Sequence, residues 1–157
     1  YTWHMIWRDR HTIRLQGYDY SQPGYYFVTV CTHDREWLFG EIIDGQMQLN
    51  PIGNIVNTIW QSLSQRFDIK LDQFQIMPNH VHMIIIIVGA IHESPLRRSL
   101  LSQIVGYFKM NASKIANLKL WQRNYYEHVI RHEKEYWAIK RYIIDNPKNW
   151  ANDVENV

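Results

Sequence analysis

An α+β fold of βαββαβ order, followed by one further helix, is predicted from three features of the 157-residue chain. Four short runs are rich in β-branched and aromatic residues. The segments between the first and second runs, and between the third and fourth, repeat apolar residues at helical spacing. A last helical segment follows the fourth run and ends at a proline. The length suits a single core, so residues 1–157 are expected to form one domain, with 1–13 as an N-terminal extension of no assigned role.

Taken in order, "RLQGYDYSQPG" (14–24) is rich in turn formers, and "YYFVTVCTH" (25–33) reads as the first strand. "DGQ" at 44–46 predicts a tight turn, joining Trp37–Ile43 to Met47–Leu49 as a small hairpin. Residues 50–67 read as a helix, because Ile55, Ile59, Leu63 and Phe67 recur every four positions beside Val56 and Trp60. "IKLDQFQIM" (69–77) and "HVHMIIIIV" (80–88) read as strands broken apart by Pro78-Asn79. After a loop at 89–98, a helix is expected over about Ser99–Asn117, with Leu101, Ile104, Val105, Phe108, Ala112 and Ile115 on one stripe. "WQRNYYEHVIR" (121–131) is the last strand and "EKEYWAIKRYIIDN" (133–146) the last helix, stopped by Pro147. This is the ferredoxin-like order: an antiparallel sheet with helices on one face, plus an extra C-terminal helix. The third strand is central in that fold, which suits the unbroken apolar run after His82.

Composition narrows the function. A content of 46% hydrophobic and 20% charged residues is that of a globular protein, and no apolar run reaches the roughly 18 residues of a membrane span. The N-terminus lacks the basic flank, apolar stretch and small-residue site of a signal peptide. A single cysteine, Cys31, excludes an internal disulfide and a cysteine-based zinc cluster; it sits in a strand-like run and reads as packing. A reducing, cytoplasmic setting is expected. Net charge is only +2, but it is segregated: eleven Lys/Arg face four Asp/Glu between Arg97 and Lys148, against six and nine over residues 1–96. A basic second half points to a polyanion, though a solvated helix surface has the same look.

The chemistry starts at "PNHVHMII". Side chains alternate along a strand, so His80 and His82 project from one face, about 7 Å apart. Two imidazoles so placed can share a metal ion, or can be an inert hydrogen-bonded pair. Two ligands hold a labile ion poorly. "RYIIDNP" offers Tyr142 and Asn146, one helical turn apart on one face. The amide oxygen could complete a His-His-Asn site with the phenol beside it, although Asn before Pro is also an ordinary helix stop.

These motifs carry a resemblance. "PNHVHMII" resembles the His-hydrophobic-His (HUH) motif of single-tyrosine transposases of the IS200/IS605-like group. "WQRNYYEHVIR" with "YIIDNPKNW" is similar to the C-terminal signature of one branch, the REP-associated tyrosine transposases (RAYTs). "GYDYSQPGYYFVTVCTHDREWLFG" is similar to that branch's opening, and the likeness runs from about Arg14 to Trp150. "YTWHMIWRDRHT" has no counterpart in it. The resemblance implies a ferredoxin-like fold and Mg²⁺ or Mn²⁺ bound by His80 and His82. It implies Asn146 as completing the metal site and Tyr142 as nucleophile. Insertion-sequence relatives carry Gln at the Asn146 position, and the RAYT branch accepts Asn. The implied activity is cleavage and rejoining of single-stranded DNA beside palindromic hairpins, through a 5′-phosphotyrosine bond.

Arg97, Arg98, Lys109, Lys114, Arg123, Arg131, Lys140, Arg141 and Lys148 are candidates for DNA phosphate contacts, each with a solvated charge as its plain alternative. A histidine-triad nucleotide hydrolase would need a further His where Ile84 stands. A non-catalytic nucleic-acid module would stack bases on sheet aromatics such as Tyr25, Tyr26 and Phe27. A catalytically inactive, domesticated hairpin-binding protein is the remaining alternative to the enzyme. Insertion-sequence relatives act as dimers with exchanged helices and RAYT-like proteins can act as monomers, so both states stay open.

Overall fold

The computed structural model describes residues 24–87 and 100–156. The loop expected at 89–98, the turn-rich 14–23 and the extension 1–13 therefore lie outside the described residues. Strand β1 is Gly24–Cys31, β2 Gly40–Ile43 and β3 Gln46–Leu49; helix α1 is Pro51–Arg66. Strand β4 is Ile69–Met77, β5 His80–Ile87, α2 Leu100–Ala116, β6 Tyr126–Ile130 and α3 Glu133–Asp145. The main sheet has the order β4-β5-β1-β6 and is antiparallel throughout, with β2-β3 a separate hairpin. This is the ferredoxin-like arrangement, and the histidine strand is central.

Local chemistry accounts for the element ends. Asp44 (φ 51°) and Gly45 (φ 73°) turn the β2-β3 hairpin in the left-handed region that a two-residue turn requires. Asn50 caps α1 by accepting from the Gly53 N–H at 2.9 Å, and Pro51 fills the first helical position. Pro78-Asn79 turns β4 into β5, and the register between those strands slips between Leu71 and Phe74.

Alternation along β1 and β5 divides the core in two. Val28, Val30, Val81, Met83 and Ile85 face α1 and α2, packing with Leu63, Leu101, Ile104, Val105 and Phe108. Phe27 and Ile84 face the other way, beneath Ile139 and Ile143 of α3. Helices α1 and α2 thus cover one face and α3 the other.

Three local expectations change. The strand predicted over 121–131 is shorter: Trp121 makes only an isolated bridge to Thr32, and pairing with β1 begins at Tyr126. Ile115, placed on the buried stripe of α2, is 58% exposed, while Ala116 beside it packs against the core. Tyr26 and Phe27 are buried, leaving Tyr25 as the one exposed member of the trio; stacking of bases on an open sheet is thereby removed. No described helix is long and apolar enough to cross a membrane.

Candidate active site

Backbone register brings the site together. Cys31 pairs with His80 and Thr29 with His82, so these four side chains lie on the α3 face at one end of the central strands. Both histidines are fully buried. Their Nε2 atoms are 3.1 Å apart, and Asn146 Oδ1 lies 3.4 Å from His80 Nε2. Tyr142 packs on the pair, its ring centroid 5.3 Å from that of His82 and 6.5 Å from that of Phe27.

The outer ring nitrogens are engaged. His80 Nδ1 lies 2.8 Å from Asn79 Oδ1, and His82 Nδ1 lies 2.7 Å from Thr29 Oγ1. The amide of Asn79 is itself oriented, because its Nδ2 donates to the Glu155 carbonyl. Its Oδ1 can only accept, so His80 carries its proton on Nδ1 and turns a lone pair on Nε2 toward His82 and Asn146. Burial lowers the pKa of His80 to about 3, against a smaller upward pull from Asn146. Burial, and then the neighbouring His80, hold His82 well below the usual histidine range. Both rings are therefore neutral at physiological pH.

Two neutral imidazole nitrogens and an amide oxygen converging within hydrogen-bonding distance form a donor set that a divalent cation fits. Each ring is steadied through its far nitrogen, as ligating histidines are. Among the described residues no cluster of three His, Cys, Asp or Glu side chains forms, so the oxygen donor beside the two histidines is the amide of Asn146. The phenol of Tyr142 is pushed above its ordinary range, first by burial and then by the Asp153 carboxylate.

The basic candidates scatter. Lys114, Arg123, Arg131, Arg141 and Lys148 are exposed, with Arg141 adjacent to Tyr142 on α3. Lys109 is spent within the fold, donating to the Gln122 and Arg123 carbonyls at 2.7 and 3.1 Å. Lys140 bonds Asp72 and the Tyr136 hydroxyl, both at 3.1 Å, tying α3 to β4. Arg97 and Arg98 lie outside the described residues. The sequence reading missed Thr29, Asn79, Asp153 and Glu155. Asn79, next to His80, and Thr29, in the opening stretch, stand within motifs that could have marked them; Asp153 and Glu155 do not. Cys31 is more than packing: it lies on the site's face, its Sγ 3.8 Å from Glu155 Oε2.

Comparison with known proteins bears on the family and the fold. Residues 19–146 match the family described as transposase IS200 like. An uncharacterized protein of Haemophilus influenzae is 41% identical, the alignment covering 92% of this chain and 91% of that protein. A second protein of that species, whose name places it among REP-associated tyrosine transposases, is 23% identical over 82% of this chain and 73% of its own. The solved structure of a REP-associated tyrosine transposase bound to a REP hairpin shares the fold, with a TM-score of 0.66 at 20% identity over 87% of this chain and 73% of that one. The chain belongs to the IS200-like transposase family, where its motifs and relatives align it with the REP-associated tyrosine transposases.

Proposed function

We propose that the protein is a metal-dependent endonuclease and strand transferase of single-stranded DNA that cuts beside hairpins through Tyr142. The observation that carries this reading is the convergence of His80 Nε2, His82 Nε2 and Asn146 Oδ1 under the ring of Tyr142. His80, His82 and Asn146 would hold Mg²⁺ or Mn²⁺. Such an ion, when bound, supplies Lewis-acid stabilisation of charge developing on the phosphate oxygens.

The chain's own groups do the rest. Helix α3 sets Tyr142 against the histidine pair, and its oxygen attacks a backbone phosphorus. The bond from phosphorus to the 3′-oxygen breaks, its electron pair leaves with that oxygen, and a proton converts it to a 3′-hydroxyl. The phenolic proton passes to solvent, and a 5′-phosphotyrosine remains. One phosphodiester is exchanged for another, so a later 3′-hydroxyl can reverse the step and join strands without ATP. A free phenol, with a pKa near 10, is a weak nucleophile at neutral pH, and burial weakens its acidity further here. Attack therefore depends on positioning and on charge stabilisation at the phosphate.

Hairpin DNA as partner is supported by the solved relative, which is bound to a REP hairpin. Exposed Arg123, Arg131, Arg141, Lys114 and Lys148 are the groups we assign to phosphate contacts, with Arg141 nearest the nucleophile along the chain. A cytoplasmic location beside DNA goes with this reading.

The test is an end-labelled single-stranded hairpin from the flanks of the gene, incubated with and without Mn²⁺ and run on a denaturing gel. A covalent band that needs Mn²⁺ and vanishes in Tyr142→Phe is expected. Tight native-gel binding with no covalent band would replace the enzyme with a hairpin-binding protein.

A further inference from the structure

Past the end of α3 the chain turns through a short 3-10 segment, Trp150–Asn152, and runs back across the site. Several contacts pin this strap. Trp150 packs on His80, with centroids 6.0 Å apart, and on Trp37 at 5.5 Å. Glu155, 1% exposed, is ion-paired to Arg35, and its carbonyl receives Asn79 Nδ2. Between these anchors stands Asp153. Its Oδ2 accepts from Asn146 Nδ2 at 2.7 Å, and its Oδ1 accepts from the Glu155 N–H at 2.9 Å.

An amide has two unlike ends and a carboxylate only accepts. With Nδ2 of Asn146 held by Asp153, its oxygen must face His80. Were the amide turned over, an NH₂ group would point at the His80 Nε2 lone pair and donate to it, plugging the place where a cation would sit. Asn146 is 3% exposed, so water has little room to settle the choice instead.

We infer that Asp153 is a positioning residue of the site, locking the Asn146 amide with its oxygen toward the histidines and setting a carboxylate behind three neutral donors. It stands behind the amide and is not one of the converging donors: among the described residues no His, Cys, Asp or Glu triplet forms a cluster. The inference rests on the proposed metal role of His80, His82 and Asn146. Partners behind the ligands typically govern metal affinity by about 10- to 100-fold.

The full-length chain is titrated with Mn²⁺, free ion being read by electron paramagnetic resonance and folding by thermal melting. Asp153→Ala is expected to weaken binding by about tenfold or more. Asp153→Asn, of the same shape, keeps an acceptor but loses the charge and the fixed polarity, and is expected to bind more weakly than wild type. The exchange Asn146→Asp with Asp153→Asn reverses the hydrogen bond while still presenting an oxygen to His80. It is expected to hold Mn²⁺ more tightly than Asp153→Asn, a gain to which the charge of the new carboxylate ligand also contributes. An Asp153→Ala chain that melts like wild type and holds Mn²⁺ as tightly overturns the inference. Should that variant fail to fold, an Asp153→Asn chain that folds and holds Mn²⁺ as tightly as wild type overturns it. A wild-type chain that leaves Mn²⁺ free overturns the metal reading itself and this inference with it, while the covalent-band assay reports on Tyr142 independently.

Discussion

The two faces of the central strands are made by alternate residues of the same peptide, yet they are built on opposite principles. Toward α1 and α2, β5 presents Val81, Met83 and Ile85, all without exposure, in a mainly apolar layer whose one buried carboxylate among the described residues is Glu127, across from Val28. Toward α3 the same strand presents His80 and His82, equally buried, with Ile84 after them. On the first face burial itself stabilises the fold, at about 25 cal/mol per Å² of apolar surface. On the second each buried polar atom needs a partner, because an unmet one costs about 1–3 kcal/mol. Thr29, Asn79, Asn146 and Asp153 supply those partners. One face is arranged for stability, and the other surrenders some of it to keep lone pairs facing inward.

This contrast can be broken from either side. The largest expected effect is that of Tyr142→Phe: total loss of covalent DNA linkage on a denaturing gel, with hairpin binding and melting temperature nearly unchanged. His80→Ala should also abolish the covalent product, and in addition remove Mn²⁺ binding, as read by titration. Either variant retaining the DNA-linked band would dissolve the functional half of the comparison. On the apolar face, Ile85→Ala should cost about 2–5 kcal/mol in denaturant unfolding while the folded protein keeps its Mn²⁺ affinity. A change in affinity there would mean the faces are coupled.

Smaller effects concern how α3 is held. Asp72→Asn weakens the contacts to Tyr136 and Lys140 at the β4 register slip, and should cost about 1 kcal/mol or less. Smallest is the Glu135 carboxyl, which bonds His128 and accepts the Arg131 N–H at 3.0 Å. Burial pushes its pKa up, but these bonds and the nearby histidines outweigh burial and leave it below the ordinary 4.5. A depressed carboxyl contributes stability above its unfolded value and loses it as pH falls through the folded one. The difference in melting temperature between wild type and Glu135→Gln should therefore be present at pH 7 and shrink below about pH 4.5.

Much of the comparison was legible beforehand, for a reason that lies in the backbone. Period two on a strand placed His80 and His82 together, and period 3.6 on a helix placed Tyr142 a turn from Asn146. Both follow from local geometry that every residue obeys. The order of strands and helices led to the ferredoxin-like sheet with β5 in its centre. The errors came where the pattern was ambiguous. Ile115 fits the stripe of α2 by spacing, but it lies at the rim beside Pro51 and Ile55 of α1, and Ala116 makes the core contact. Residues 121–125 look like strand, but the segment meets the end of β1 through a single bridge, Thr32 to Trp121, before pairing starts at Tyr126.

Charge was the least readable feature. Lys109 and Lys140 were indistinguishable in sequence from Arg141 or Lys148. Whether an ammonium meets a carbonyl across the fold or stays in water depends on chain segments far from it in sequence. The same holds for the groups that orient the site: Asn79 reaches Glu155 across 76 positions and Cys31 reaches the same residue across 124. The sequence alone determined the fold class and the residues that could do chemistry, because local periodicity sets which side chains share a face. Only the tertiary structure decided which nitrogen of His80 carries its proton, which end of the Asn146 amide faces inward and which cations are already spent. Those choices are made by hydrogen bonds between distant segments, and such bonds leave no period in a sequence.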